Sequence, residues 1–203
     1  MADNKKILGS KEIAERLPEI IQRNYLHFEL RGLTRDTRDL ISNIINGITE
    51  RIGADPVSSF HLFSGLMEAL LNAVKGNIRF TIFKNELIKR LEEIEDPSQE
   101  EIDQILEVIM ETSALRDAIT RYIIPDKIKR EVQNILVMEE KIRVKKMQLT
   151  ERDLRLLNTI RNQIKADNRK IDMKIRIDDE RLYIRIKNDA PVMDKDMARI
   201  QET

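Results

Sequence analysis

Hydrophobic residues recur at helical spacing along most of the chain, and only a few stretches alternate with a period of two residues. A first helix is predicted from Ser10 to Gln22, with an interruption near Pro18. A second is predicted from Thr34, a good N-cap, to Gly53, a typical helix end. Its apolar residues at helical spacing are Leu40, Ile41, Ile44, Ile45, Ile48 and Ile52. The chain therefore opens as a mainly helical structure.

A third helix is predicted to begin at Asp55-Pro56 and to include the stretch Ser64–Asn77, with Gly76 and Asn77 as its C-terminus. Its core-facing side is expected to consist of Phe60, Phe63, Met67, Leu70, Leu71 and Val74. The opposite side carries a polar stripe, because Glu68 and Asn72 are four residues apart and share one face. The other members of that stripe are His61, Ser64 and Lys75.

Further helices are predicted across the middle of the chain. Residues 78–83 alternate, but the helical runs on both sides favour a helix there and over 84–94, until Glu95-Asp96-Pro97 breaks it. Ser98 and Glu101 form a capping box before a stripe of Ile102, Ile105, Leu106, Ile109 and Met110.

Two more helices complete this central region. One is predicted from Asp126 to about Met147, after Pro125, with inward residues Val132, Ile135, Leu136 and Ile142. Another follows Thr150, with Asp153 completing the cap, and its apolar residues are Leu154, Leu157, Ile160 and Ile164. The mixed charges of these helices are typical of solvated faces with ion pairs four residues apart.

Strict alternation predicts three strands. Residues 25–30 place Leu26, Phe28 and Leu30 on one face, with His27 on the polar face. Residues 171–177 and 182–186 alternate around Asp178–Arg181, which predicts a β-hairpin with one buried face, followed by a short helix from about Asp194.

Composition narrows the functional classes. The 203 residues include 36 basic and 36 acidic side chains and only 4% aromatics, which argues against nucleic-acid binding. There is no cysteine and there are only two histidines, so thiolate and histidine-rich metal sites are excluded. No signal core or membrane-length apolar run is evident, so a cytoplasmic protein without membrane contact is expected. All six glycines lie in the first 76 residues, which excludes a glycine-rich phosphate loop later.

The polar stripe, read as Glu68-x-x-x-Asn72-Ala73-x-Lys75, resembles the N box of the ATPase superfamily that contains histidine kinases, gyrase and Hsp90. The resemblance implies that Asn72 holds Mg²⁺ beside the nucleotide phosphates. It implies that Glu68 is the polar partner or catalytic base, and that Lys75 is a charge on the phosphate side. A surface helix with a solvated polar face produces the same spacing.

The loop after the hairpin resembles the G1 box of the same family, D-x-G-x-G after a hydrophobic strand. Asn188 stands at the position of the aspartate that reads adenine, and a shift of one residue would place Asp189 there instead. Ala190 and Val192 replace both glycines of the motif, which implies a degenerate site.

The resemblance implies an α+β fold, mostly helical by residue count: a two-layer, histidine-kinase-like ATPase half-sandwich with a large helical insertion. It divides the chain into 1–83 with the N-box helix, an insertion at 84–168, and 169–203 with the hairpin and the G1-like loop. Asn72 and Asn188 are 116 residues apart, which the insertion explains. The sequence ends before any lid or G2 loop, so either it is part of a longer protein or the nucleotide site has decayed.

The function implied is a signalling-type module that binds ATP and Mg²⁺, without autokinase activity because neither His27 nor His61 resembles a phosphoacceptor. The alternative is a non-enzymatic scaffold whose helical insertion binds a signalling protein or a second copy of the chain. A third reading is an all-helical regulator with an incidental hairpin, which predicts that Glu68 and Asn72 face bulk solvent far from Asn188.

Overall fold

The computed structural model describes residues 8–95, 98–111, 126–143, 148–178 and 181–188. Most of this part is helical, and it contains one three-stranded antiparallel sheet, which confirms the predicted α+β class. The elements are α1 (Ser10–Glu15), α2 (Leu17–Ile20), β1 (Tyr25–Leu30), α3 (Arg35–Arg51), α4 (Pro56–Glu95), α5 (Gln99–Glu111), α6 (Asp126–Arg143), α7 (Glu151–Ala166), β2 (Ile171–Asp178) and β3 (Arg181–Asn188).

The chain divides into two compact units. The first consists of Met1–Val74 and Lys170–Asn188, and it holds α1 to α3, the first part of α4 and all three strands. The described residues of the second unit are those of Lys75–Arg169 that belong to the ranges given above. The division into 1–83, 84–168 and 169–203 stays a prediction.

The sheet of the first unit joins distant parts of the chain in the order β1-β2-β3. β1 pairs antiparallel with β2, with Leu26 opposite Ile175. β2 in turn pairs antiparallel with β3, with Ile175 opposite Ile184. The predicted hairpin is therefore present, and the separate strand at 25–30 is its third member. Alternate residues face opposite sides, so the register fixes which side is buried.

One face of this sheet forms the core together with α3 and α4. Every second residue of β2 is buried: Ile171, Met173, Ile175 and Ile177. The helices contribute buried residues at helical spacing: Ile41, Ile44, Ile45 and Ile48 from α3, and Leu66, Met67 and Leu70 from α4. Phe60, predicted to face the core, is instead 66% exposed. Burial on α4 becomes complete only at Leu66, although Leu62 and Phe63 already pack against the core at the edge of which Phe60 lies exposed.

The ends of α3 agree with the prediction. The Thr34 side chain accepts a hydrogen bond from the Thr37 N–H at 3.2 Å, which is an N-cap. Gly53 has a φ of +68°, and the N–H of Ala54 donates to the carbonyl of Thr49 at 2.9 Å. This is a Schellman arrangement, in which the left-handed residue after the helix is best supplied by glycine.

The predicted end of the third helix at Gly76 and Asn77 is wrong, because α4 continues to Glu95. The residues that follow are buried, among them Ile78, Phe80, Ile82 and Phe83. A glycine inside a helix costs only about 1 kcal/mol, and burying a single large apolar side chain contributes about 1.5–3 kcal/mol. Tertiary burial therefore outweighs the local stop signal, and the helical prediction for 78–83 is confirmed.

Gly47 marks a close approach within the first unit. A Cβ built at this position would lie 2.9 Å from Cγ2 of Ile21, whereas one at Gly65 would have no neighbour within 4 Å.

Gly65→Ala should raise the free energy of unfolding by about 0.5–1 kcal/mol, since alanine favours a helix. Gly47→Ala should gain less than this or be destabilising, because Ile21 must move. Urea denaturation of both variants measures the difference, and equal gains would contradict the close contact.

The second unit contains the remaining helices and their polar contacts. Ser98 and Glu101 form the predicted capping box, with the Ser98 N–H donating to Glu101 Oε2 at 2.9 Å. Phe83 and Leu87 of α4 pack with a buried stripe of α5 formed by Ile102, Leu106 and Ile109. Lys84 pairs with Asp167 at 2.8 Å, which links α4 to the residue that ends α7.

Two residues predicted to be apolar contacts of these helices are exposed instead. Ile105 is 37% exposed and Leu154 is 39% exposed, because both lie at the margins of stripes whose centres are buried.

The break near Pro18 is confirmed, since α1 ends at Glu15 and α2 begins at Leu17. The side chain of Met110, residues 144–147, Asp189 and the helix predicted from Asp194 lie outside the described residues.

Candidate functional site

The last residue of β3, Asn188, contacts the helix that carries the polar stripe. Its side-chain Nδ2 donates a hydrogen bond to the backbone carbonyl of Ala73 on α4, at 3.1 Å. Asn188 stands opposite Ile171 in the sheet, on the face that packs against the helices. Asn72 and Asn188 are 116 residues apart in the sequence, and the sheet brings Asn188, the first residue of the second motif, beside Ala73, which follows Asn72.

This hydrogen bond fixes the orientation of the Asn188 amide. A flipped amide would place Oδ1 against the Ala73 carbonyl, where two acceptors would oppose each other. Oδ1 is thus directed away from Ala73, is buried and has no hydrogen-bond partner among the residues that the structure describes. A buried acceptor without a donor costs about 1–3 kcal/mol, and the described residues Asn77 and Thr81 also carry buried side-chain polar atoms without a partner.

The polar stripe of α4 is open to solvent. Glu68 and Asn72 are both exposed, and neither has a hydrogen bond or an ion pair with any described residue. Lys75, one turn further on, is also exposed and is the first residue of the second unit. The stripe therefore presents an unengaged carboxylate and an unengaged carboxamide one helical turn apart.

The structure joins only part of the predicted site. Asn188 contacts the backbone of α4 and makes no hydrogen bond to the side chains of Glu68 or Asn72 in the described chain. Asp189, the alternative adenine-reading residue, lies outside the described residues. The all-helical alternative expected Glu68 and Asn72 in bulk solvent, far from Asn188. Both are exposed, but Asn188 is hydrogen-bonded to Ala73, and its hairpin belongs to a three-stranded sheet.

A second polar cluster, which the sequence pattern alone does not predict, lies on the other face of the sheet. His27 Nε2 and Asp172 Oδ1 are 2.6 Å apart, and Glu29 stands opposite Asp172 in the β1–β2 register. The hydrogen bond with His27 holds the pKa of the Asp172 carboxyl below its usual value. Alternation does place His27 and Glu29 on one face, but only the register reveals Asp172 as their neighbour.

Comparison of the chain with known proteins found no matching family model, no matching curated protein and no matching solved structure. The functional reading therefore depends on the residues and contacts described above.

One helix in the described part of the chain is long and apolar enough to cross a membrane by length and composition alone, over Pro56–Glu93 of α4. This is weak support for a membrane span, because core helices of water-soluble proteins meet the same criterion. α4 contributes Leu66, Met67 and Leu70 to the core of the first unit. The cytoplasmic location expected from the sequence stays a prediction.

Proposed function

We propose that this protein is a histidine-kinase-like ATP-binding signalling module with a degenerate site. The observation that carries the proposal is the position of Asn188. Its Nδ2 is engaged by the Ala73 carbonyl, and its Oδ1 is buried without a donor among the described residues. The contact lies next to Asn72, on the helix whose polar stripe resembles an N box.

Asn188 suits the adenine ring because a fixed carboxamide oxygen is a hydrogen-bond acceptor. The exocyclic amino group of adenine is a donor that would satisfy Oδ1, which protein atoms cover, so this cover must open for the two to pair. Guanine has a carbonyl oxygen at the equivalent ring position, so the same atom would meet a second acceptor. The module should therefore prefer adenine to guanine nucleotides.

Asn72 and Glu68 suit the phosphate end of the nucleotide. Mg²⁺ prefers oxygen ligands and usually keeps several waters, so a single amide oxygen from Asn72 with phosphate oxygens fits its chemistry. The bound ion would neutralise phosphate charge. Glu68 is the exposed carboxylate nearest Asn72 on the stripe and is the residue available as a base. Lys75 is proposed as a charge on the phosphate side.

Autokinase activity is not part of the proposal. His61 is exposed in the early turns of α4, where its ring contacts Phe60 with centroids 5.9 Å apart, and Leu62 follows it in place of an acidic residue. His27 lies on a strand and is engaged with Asp172. We therefore propose nucleotide binding as the activity, without autokinase activity in this chain.

The second candidate function is a non-enzymatic scaffold, whose partner surface would use exposed aliphatic side chains of the central helices. Val108 on α5 is 57% exposed, and Val137 on α6 is 37% exposed. A partner that covers these side chains would remove them from water. That partner would be a second copy of the chain or a signalling protein. Under this alternative, calorimetric titration with Mg-ATP and Mg-ADP should show no binding. Light scattering should show a dimer, and Val108→Asp should dissociate it.

Calorimetric titration with Mg-ATP and Mg-ADP tests the proposed function. Wild type should bind both, and Asn72→Ala should weaken binding about tenfold because one magnesium ligand is lost, a free-energy change of about 1.4 kcal/mol. When EDTA replaces Mg²⁺, wild type and Asn72→Ala should bind the nucleotide with the same affinity. Asn43→Ala, an exposed position on α3, is the matched control and should bind like wild type. Absence of binding to the wild-type protein would remove the proposal.

A further inference from the structure

The cluster on the exposed sheet face has the composition of a metal site. His27 and Glu29 are two residues apart on β1, so they point to the same side, and Asp172 on β2 stands directly opposite Glu29. One ligand atom from each of the three residues lies within 4.8 Å of the other two. Paired strands hold their backbones at fixed spacing, so the three side chains converge without any movement of the chain.

The distances are close to those of a metal shell. Zinc bonds to nitrogen and carboxylate oxygen are about 2.0–2.2 Å, which places neighbouring ligands of a tetrahedral ion about 3.3 Å apart. His27 Nε2 and Asp172 Oδ1, now 2.6 Å apart, must therefore separate by less than 1 Å, as judged from that spacing. Glu29 must approach the other two.

A lysine is the main competitor for this position. Lys170 Nζ lies 2.9 Å from Glu29 Oε1, so a cation is already attracted to the carboxylates of the cluster. Lys174 and Lys187 stand opposite His27 and Asp172 in the strand register and add positive charge on the same face. These lysines should reduce the affinity for a metal ion, and Lys170 competes directly with the ion for the Glu29 carboxylate.

We propose that His27, Glu29 and Asp172 bind a divalent transition-metal ion, with Zn²⁺ the best fit. An imidazole nitrogen with two carboxylates suits Zn²⁺, whereas Mg²⁺ and Ca²⁺ prefer oxygen ligands alone. Three protein ligands leave the fourth position of the ion to water. The ion joins β1 to β2 on the face opposite the contact of Asn188 with Ala73, so it is independent of the proposed nucleotide site.

Titration of the full, tag-free chain with zinc chloride tests this proposal. Wild type should bind one ion per chain, and its melting temperature should rise with zinc because the ion binds the folded sheet. His27→Ala should weaken binding about tenfold or more, whereas His61→Ala, at the other histidine, should not change it. Magnesium chloride should give no such binding.

Lys170→Ala should strengthen zinc binding, whereas the ligand substitution weakens it. It frees Glu29 from its ion pair and should tighten zinc binding several-fold while leaving the ligands intact. Circular dichroism and thermal melts without metal establish that every variant is folded. Zinc binding that survives His27→Ala, or a wild type that binds no zinc at one ion per chain, overturns the proposal. Nucleotide titrations of His27→Ala should match wild type, which separates this site from the proposed function.

Discussion

Replacing Ile175 by alanine should lower the free energy of unfolding by about 2–5 kcal/mol, whereas Lys174→Ala should change it by less than about 0.5 kcal/mol. Ile175 is 1% exposed at the centre of the sheet, opposite Leu26 on one side and Ile184 on the other. Its truncation removes apolar contacts and leaves a cavity in the core. Lys174 faces solvent on the other side of the same strand.

The matched pair also tests the register of the sheet. A slip of one residue would exchange the two faces of β2, so Lys174→Ala would then be the more damaging change. Urea denaturation followed by circular dichroism measures the stability, and amide exchange of β2 reports local opening of the first unit. Equal losses at the two positions would contradict the burial pattern of the strand.

Local sequence signals were sufficient for most element boundaries. The caps of α3 at Thr34 and Gly53, and the capping box at Ser98, depend on neighbouring backbone groups and were correctly predicted. The strands were found because their alternation marks one buried face. These features depend on residues close together in the chain, so no knowledge of the tertiary structure was needed.

Features that depend on distant residues were missed. The stop signal at Gly76 failed because burial of the following helical turns outweighs it, and that burial depends on other helices. Phe60 shares the spacing of the core residues but lies in turns of α4 that remain exposed. The cluster of His27, Glu29 and Asp172 depends on a register between strands 141 residues apart, which no local pattern contains.

In the candidate site, too, the sequence predicts features that depend on nearby residues and misses contacts between distant ones. Its residue types and their order along the chain were readable from the two motifs. The sequence could not reveal that Asn188 donates to the Ala73 carbonyl, because this contact joins the end of the sheet to the backbone of a helix. The contact also offers a reason for asparagine where the motif that the loop resembles has aspartate: an ionised carboxylate has no hydrogen to donate to Ala73.

Asn188→Leu should weaken Mg-ATP binding about tenfold or more, since the loss of one buried hydrogen bond to adenine and of the Ala73 contact costs about 1–3 kcal/mol. Leucine keeps the approximate volume of the side chain and removes both polar atoms. The preference for Mg-ATP over Mg-GTP should fall with it, because Oδ1 is the atom that distinguishes an amino group from a carbonyl oxygen. Competition titrations with the two nucleotides measure this ratio independently of stability.

Lys187→Leu is the control for Asn188→Leu, since it makes a leucine substitution at the adjacent position on the opposite face of β3. Its nucleotide affinity and selectivity should equal those of wild type. Asn188→Asp separates the two roles of the amide. It keeps an acceptor for adenine but sets an oxygen against the Ala73 carbonyl, so it should lower stability by about 1–3 kcal/mol and retain the preference for adenine. If Asn188→Leu alters stability but leaves the ATP to GTP ratio unchanged, Asn188 has only a structural role and adenine is read elsewhere.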